Sequence, residues 1–156
     1  MSTSVPPFKA YVIRQDENRK VSAAMEPLSV DGLDAGEVLI KVAYSSVNYK
    51  DALAATGAGK IIRRFPCVGG IDLSGTVVES SDPRFKAGDP VIATSFDIGV
   101  AHHGGYAEYA RIPAGWVAVV PIVDIFAIAL LRVADPPGGL GLLYAYPPAA
   151  RLQPQR

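Results

Sequence analysis

The density of glycine and proline is what most limits how this chain can fold. There are 15 glycines and 13 prolines among its 156 residues. Both residues favour turns, and proline also interrupts helices, so this density predicts many short strands and argues against long helices. The hydrophobic fraction of 49% against a charged fraction of 19% excludes a chain that is disordered throughout. A folded, turn-rich, mainly β protein is therefore expected.

Alternating and β-branched residues predict where the strands lie along the chain. A helix is predicted over Tyr49–Thr56, because Asn48 can cap its start and Gly57 can end it. Several short strands and at most one or two short helices are typical of a barrel or a sandwich. The predicted strands cover residues 8–14, 20–26, 37–44, 71–79, 91–96, 106–112 and 116–120.

Charge and cysteine content narrow the class of protein. Fifteen basic residues balance 15 acidic ones, which argues against binding nucleic acid through net charge. Cys67 is the single cysteine, so a disulfide framework is excluded and a reducing compartment is expected. The most apolar run, residues 122–134, contains Asp124 and Arg132 and is shorter than the ~20 residues that span a bilayer. A cytoplasmic protein without a membrane partner is expected.

The chain divides by composition near residue 121. Residues 122–156 contain no Ser, Thr, Asn, Lys or Glu, and 17 of these 35 residues are Gly, Ala, Arg or Pro. These four residues have codons rich in G and C, so one hypothesis is that the native reading frame ends near Pro121. The alternative is a genuine Pro-rich tail with one short apolar helix at most. Its five prolines are expected to prevent regular structure after about residue 135.

The densest group of polar residues, 45–51, lies between the predicted strand and the predicted helix. Backbone N–H groups at a helix start favour an anionic or carbonyl oxygen, which makes this a candidate site. The alternative is purely structural: Asn48 caps the helix, Tyr49 packs, and Lys50 and Asp51 lie in solvent.

Two further groups are weaker candidates. Residues 57–66 combine flexible glycines with Lys60, Arg63 and Arg64, which could bind a phosphorylated ligand or form a solvated basic loop. His103 follows His102 in a Gly-rich loop. Their imidazoles could titrate near neutral pH, or the segment could simply be a polar turn between strands. Cysteine and histidine pairs at metal-ligand spacing are missing, so no metal site is predicted.

Six segments of the chain occur in the same order in one known family. Together they resemble the medium-chain dehydrogenase/reductases, and more narrowly the zinc-free branch of acryloyl-CoA reductases and YhdH/YhfP-type quinone oxidoreductases. The resemblance covers about residues 8–121. The segments are residues 48–53, 59–66, 70–77, 82–85, 88–91 and 104–110.

This resemblance implies a GroES-like, partly open β-barrel over residues 1–121. Zinc-dependent relatives have Cys at the position of Asn48 and a His-Glu pair at the positions of Ile71 and Asp72, so zinc is not expected. The implied reaction is NADPH-dependent transfer of a hydride to the β-carbon of an α,β-unsaturated carbonyl. The implied substrate is a small enone, a quinone or an acyl-CoA.

The resemblance also implies roles for single residues. Asn48 and Tyr49 would donate hydrogen bonds to the carbonyl oxygen, Tyr49 would also contact the nicotinamide, and Asp51 would orient the group. The weaker substrate-binding candidates are Lys60, Arg63 and Arg64 for phosphates and His103 as a proton source.

Family members continue into a Rossmann domain, and residues 122–156 carry no dinucleotide fingerprint. The expectation is a catalytic-domain fragment, with the Rossmann domain missing, that is inactive by itself. Three alternatives stay open: a non-enzymatic binding module built on a GroES-like barrel, a non-functional frameshift product, and an active standalone reductase.

Overall fold

A computed structural model describes residues 5–120 and the strand at 142–145. Over these residues the fold is mainly β, with one α-helix, as the sequence predicts. Short 3-10 turns at Val30–Gly32 and Ala114–Trp116 connect strands that follow each other in the chain. In chain order the elements are β1 Phe8–Gln15, β2 Val21–Leu28, β3 Val38–Val47, α1 Tyr49–Thr56, β4 Cys67–Val68, β5 Asp72–Ser80, β6 Pro90–Thr94, β7 Tyr109–Ile112, β8 Val117–Val119 and β9 Leu142–Ala145.

The strands form two sheets, and neither sheet closes on itself. The smaller sheet has the order β2-β1-β4, and the larger one has the order β7-β3-β5-β6-β8 with β9 added to β3. Every strand pair is antiparallel. This arrangement confirms the GroES-like, partly open architecture implied by the resemblance.

The main core lies under the larger sheet. Val38 and Ile40 of β3 are fully buried, and they pack with side chains from β5, β6 and β7. The pairing of β3 with β5 shifts register between Val42 and Tyr44. Such a bulge bends a strand and changes the direction of the residues after it. The polar end of β3, residues 44–47, follows this bulge.

Helix α1 begins and ends where the sequence predicts. The Asn48 backbone N–H donates to the Asp51 carboxylate at 2.9 Å, which satisfies one of the free donors at the helix start. Gly57 ends the helix with a φ of 74°, a left-handed conformation that glycine adopts without strain. Over the ranges the structure describes, no helix is long and apolar enough to cross a bilayer.

Strand β9 differs from the expectation that proline prevents regular structure after residue 135. Leu142–Ala145 pairs antiparallel with residues 44–47 of β3. The four residues contain no proline, and β7 pairs with β3 only as far as Lys41. The Val42 N–H still donates to the Glu108 carbonyl at 2.9 Å, and the backbone of β3 beyond Val42 is open on that side for another strand. The reading-frame hypothesis and the predicted apolar helix otherwise concern residues outside the described ranges.

Candidate functional site

Asp72, the first residue of β5, is the centre of a polar network at the end of β3. Its side chain is buried, and one carboxylate oxygen accepts the Ser46 backbone N–H at 2.8 Å. The other oxygen accepts the Ser46 hydroxyl in a short hydrogen bond. The Ser45 hydroxyl donates to the Asp72 backbone carbonyl at 2.7 Å. The start of β5 is thus held against the polar end of β3.

Asn48 connects this network to helix α1. Its amide nitrogen lies 3.0 Å from Asp72 Oδ2, 3.1 Å from Asp51 Oδ2 and 2.9 Å from Ser46 Oγ. An amide nitrogen has two hydrogens, so all its donor capacity is used inside the protein. Asn48 therefore joins two carboxylates, and its N–H groups point away from any external oxygen.

Asp51 is only 4% exposed, which excludes the alternative that it lies in solvent. Besides both Asn48 donors, its carboxylate accepts the Ile71 backbone N–H at 3.0 Å. Burial raises the pKa of Asp51, and the Asp72 charge raises it further, while the hydrogen bonds from Asn48 and Ile71 oppose the rise. The contacts support the orienting role expected for Asp51, because this carboxylate joins the helix start to the segment before β5.

Tyr106 encloses the network from the loop before β7. Its hydroxyl donates to the Ser46 carbonyl at 2.9 Å, and its ring packs edge-on against Tyr11 with centroids 6.2 Å apart. Burial raises the pKa of Tyr106, and the adjacent Asp51 carboxyl raises it further. The phenol therefore stays neutral and acts as a fixed donor.

Backbone-to-backbone contact holds the loop at residues 99–105 against the site. Gly104 donates to the Val68 carbonyl at 2.9 Å, and Gly105 donates to the Gly70 carbonyl at 3.0 Å. A Cβ on Gly105 would lie 2.2 Å from the Asp72 carbonyl oxygen. The glycines that the sequence suggests as a polar turn instead permit the loop to pack directly on the strand that carries Asp72.

Tyr49 is the exposed residue of the site. It is the first residue of α1, and 79% of it is exposed, so the alternative that it packs is excluded. Its neighbour Asn48 binds Asp51 and Asp72, which fixes the backbone from which the Tyr49 side chain projects. An exposed aromatic ring beside a helix start can stack on a flat ligand and donate its hydroxyl.

The predicted basic residues lie in different surroundings. Arg63 makes an ion pair with Asp97, and Arg64 makes one with Asp34. Arg64 also donates to the Ala101 carbonyl at 2.9 Å. Lys60 is exposed and makes no ion pair within the part of the chain that the structure describes. Since Arg63 and Arg64 are ion-paired, Lys60 is the one of these three cations whose charge remains available to a phosphate.

His103 and Arg64 both contact Asp34, apart from the hydrogen bonds that Asn48 makes. Its backbone N–H donates to Asp34 at 2.6 Å, and its Nδ1 accepts the Val68 N–H at 3.2 Å. Burial lowers the pKa of His103, although the nearby Asp34 charge opposes this. A buried imidazole whose pKa is lowered gives little support to its predicted role as a proton source.

This low pKa predicts how stability depends on pH. Below the ordinary histidine value of 6.5, unfolded His103 takes up a proton that the folded side chain resists, so acidification lowers the free energy of unfolding. Urea unfolding between about pH 8 and pH 5 measures this slope. His103→Asn keeps an acceptor for Val68 and is expected to flatten the slope. Equal slopes in both proteins, which share His102, would contradict the prediction.

No group of three or more potential metal ligands occurs within residues 5–120. Cys67 is buried beneath the His102 backbone, and burial raises the pKa of its thiol to about 12. A thiol of this kind is neither a nucleophile nor a good ligand.

Four residues of the network are absent from the predicted catalytic set: Ser45, Ser46, Asp72 and Tyr106. Asp72 carries a detectable signal, because a charged residue inside the apolar segment 71–77 is unusual unless it is paired. Ser45 and Ser46 lie in the polar segment 45–51, whose composition is itself a signal, whereas Tyr106 carries none, since tyrosine is common beside strands.

Comparisons with known proteins agree with this geometry. The family model described as "Alcohol dehydrogenase GroES-like domain" matches residues 34–122. Acrylyl-CoA reductase AcuI of Ruegeria pomeroyi is 45% identical over 115 residues, which are 73% of this chain and 35% of the relative. The chain thus spans about a third of the length of such relatives.

Two solved structures are also similar. The yhdH oxidoreductase of Salmonella enterica, in complex with NADP, aligns with a TM-score of 0.70 at 46% identity, over 73% of this chain and 35% of that one. The yhfP protein of Bacillus subtilis, with NAD bound, aligns with a TM-score of 0.72 at 39% identity, over 83% of this chain and 43% of that one.

Proposed function

The chain belongs to the alcohol dehydrogenase GroES-like domain family within the medium-chain dehydrogenase/reductases, and we propose that it is the substrate-binding, catalytic domain of a zinc-independent reductase. The proposed reaction transfers a hydride from NADPH to the β-carbon of an α,β-unsaturated carbonyl such as acryloyl-CoA or a quinone. The relatives named as acrylyl-CoA reductases and the neighbours that hold NADP or NAD support this proposal.

The observation that carries the proposal is the hydrogen bond between Asn48 and Asp72. By the resemblance, zinc-dependent relatives have Cys at the position of Asn48 and the Glu of a His-Glu pair at the position of Asp72, and here these two residues bind each other at 3.0 Å. An amide and a carboxylate joined in this way leave no vacant ligand set for a Lewis-acidic metal. Charge that develops on the substrate oxygen must therefore be stabilised by hydrogen-bond donors.

Tyr49 is the donor that the geometry favours. The amide of Asn48 is occupied by Asp51, Asp72 and Ser46, whereas the Tyr49 side chain is 79% exposed. Asn48 is then a positioning residue, and Asp51 holds both it and Ile71 in place. Asn48 stays a catalytic candidate only if its bonds to the carboxylates open when substrate binds.

The exposed ring of Tyr49 also fits a nicotinamide cofactor, since a flat aromatic face at the helix start is open for stacking. When bound, the nicotinamide supplies the hydride. Lys60 is the proposed contact for a phosphate of the cofactor or of CoA, with Arg63 and Arg64 as weaker candidates because both are ion-paired.

The test is a chimera in which residues 8–120 replace the matching part of the Ruegeria acrylyl-CoA reductase. We expect the chimera to oxidise NADPH when acryloyl-CoA is added, and the present chain alone to show no rate above the blank. An inactive but folded chimera would overturn the proposed reaction. Activity of the chain alone would instead favour a standalone reductase.

Tyr49→Phe in the chimera is expected to lower kcat by about 100-fold, because it removes one donor to the developing oxyanion. KM should change less, since the ring that contacts the ligand is retained. The matched control is Tyr109→Phe, which removes a phenol hydroxyl from a ring that packs on Phe8 at 5.2 Å. Equal kcat values for the two variants would rule out Tyr49 as the donor.

A further inference from the structure

Tyr106 holds the polar end of β3 through its hydroxyl group. The pairing of β3 with β5 ends at Tyr44 and Ser74, so Ser46 has no backbone partner on β5. Two side chains take the place of that partner. Asp72 accepts the Ser46 N–H at 2.8 Å, and the Tyr106 hydroxyl donates to the Ser46 carbonyl at 2.9 Å. Both hydrogen-bonding groups of the Ser46 backbone are therefore fixed on one side of the strand.

The ring of Tyr106 holds a second segment, the turn at residues 69–70 that precedes β5. A Cβ on Gly70 would lie 2.7 Å from Cδ1 of the ring, and a Cβ on Gly69 would lie 3.1 Å from Cδ2. The ring thus lies directly on the backbone of this turn. The Tyr106 N–H also donates to the Gly69 carbonyl at 2.9 Å. Gly70 has a φ of 91°, so a side chain at this position would be strained as well as obstructed.

These two segments support Asn48. Ser46 Oγ accepts a hydrogen bond from the Asn48 amide at 2.9 Å. Ile71, the residue after the turn, donates its backbone N–H to Asp51 at 3.0 Å, and the same carboxyl group accepts both the backbone and the side-chain nitrogen of Asn48. Tyr106 itself makes no hydrogen bond with Asn48 among residues 5–120. The influence of Tyr106 on the start of α1 must therefore pass through Ser46 and Ile71.

We propose that Tyr106 is a positioning residue of the candidate site: its hydroxyl and its ring together set the orientation of the Asn48 amide and of the helix start that carries Tyr49. A second part of the proposal rests on the proposed function, because a displaced Tyr49 hydroxyl would stabilise the developing oxyanion less well. Tyr106 gives no proton to the substrate in this scheme, since its single hydroxyl hydrogen is already donated to Ser46.

Two substitutions of Tyr106 separate its two contacts. Tyr106→Phe removes the hydroxyl and keeps the ring, so the bond to Ser46 is lost while the turn at residues 69–70 stays covered. Tyr106→Leu removes both contacts. The matched control for each variant is Tyr109→Phe, which removes a phenol hydroxyl from a ring that packs on Phe8 at 5.2 Å.

The first test is nitrogen-15 NMR of the full 156-residue chain, which needs neither cofactor nor turnover. In Tyr106→Phe we expect the Asn48 side-chain amide signals to shift. Hydrogen exchange at the Ser46 amide should become about fivefold faster, as the loss of one hydrogen bond implies. The Ile71 amide should keep its signal in Tyr106→Phe and shift in Tyr106→Leu, whereas Tyr109→Phe should change none of these signals.

Asn48 amide signals and Ser46 exchange that are unchanged in Tyr106→Phe would overturn the proposal. If Tyr106→Leu does not fold, Tyr106→Phe alone decides the question, because it keeps the ring on the turn at residues 69–70.

The second test is the rate of the chimera that carries residues 8–120. We expect Tyr106→Phe to lower kcat about fivefold and to leave KM within about twofold, because a positioning residue acts without touching the ligand. An unchanged kcat would overturn the second part of the proposal, and a raised KM would indicate direct contact with the ligand and overturn the positioning role. If the unsubstituted chimera is inactive while the NMR signals respond as expected, the reaction is rejected and the positioning of Asn48 by Tyr106 stands.

Discussion

Gly104→Ala is expected to lower the free energy of unfolding by roughly 2 to 4 kcal/mol, because the added methyl group has no space. A Cβ at this position would lie 2.1 Å from the Gly70 carbonyl oxygen and 2.6 Å from that of Gly69. Both obstacles are backbone atoms, which cannot turn aside as a side chain would. Urea unfolding followed by Trp116 fluorescence measures the loss.

The matched control is Gly115→Ala, because a Cβ there would have no heavy atom within 4 Å. We expect this variant to keep the parent stability within about 0.5 kcal/mol. If Gly104→Ala unfolds at the same urea concentration as Gly115→Ala, the loop at residues 99–105 does not pack on residues 69–72 as described.

Asp72→Ala is expected to have the second large effect, a loss of about 3 kcal/mol in unfolding free energy. The substitution leaves the Ser46 N–H, the Ser46 hydroxyl and one Asn48 donor without their acceptor. Relief of the repulsion from Asp51 offsets only part of this cost. The loss should be accompanied by faster hydrogen exchange at the Ser46 amide, which reports on the end of β3 itself.

Asp72→Asn keeps one acceptor oxygen and is expected to lose about half as much stability as Asp72→Ala. Asp31→Ala, which removes an exposed carboxylate, serves as the control and should stay within about 0.5 kcal/mol of the parent. Unchanged exchange at Ser46 in Asp72→Ala would show that the network contributes little to the order of this region.

The local elements were predictable because their signals lie within a few residues. Asn48 and Gly57 delimit α1 through capping and a left-handed end, and both act on the adjacent backbone. The strand predictions overlap β1, β2, β3, β5, β6, β7 and β8, with ends that differ by a few residues, whereas the two-residue strand β4 was not predicted. Strand β9 was not predicted, because its formation depends on the open edge of β3, a hundred residues earlier in the chain.

The candidate site was predictable only in part. The segment containing Asn48, Tyr49 and Asp51 was identified, since these residues are contiguous and lie at a helix start. Asp72 and Tyr106 contribute through hydrogen bonds to partners that lie 24 and 60 positions away in the chain. For the basic residues, the error is that Arg63 and Arg64 were expected to be free to bind a phosphate. The carboxylates that bind them come from positions 34 and 30 residues away, so no local pattern indicates these ion pairs.

The sequence by itself determined the mainly β class, the position of α1, the resemblance to zinc-free reductases and the absence of a Cys–His ligand pattern. Each of these follows from residue type and short spacing, which do not depend on how distant segments meet. Only the tertiary structure decided that the Asn48 amide donates hydrogen bonds to Asp51 and Asp72, that Tyr49 is exposed and that His103 is buried. Hydrogen-bond partners and burial are set by the pairing of β3 with β5 and by the loop packed on them, and no local pattern specifies those contacts.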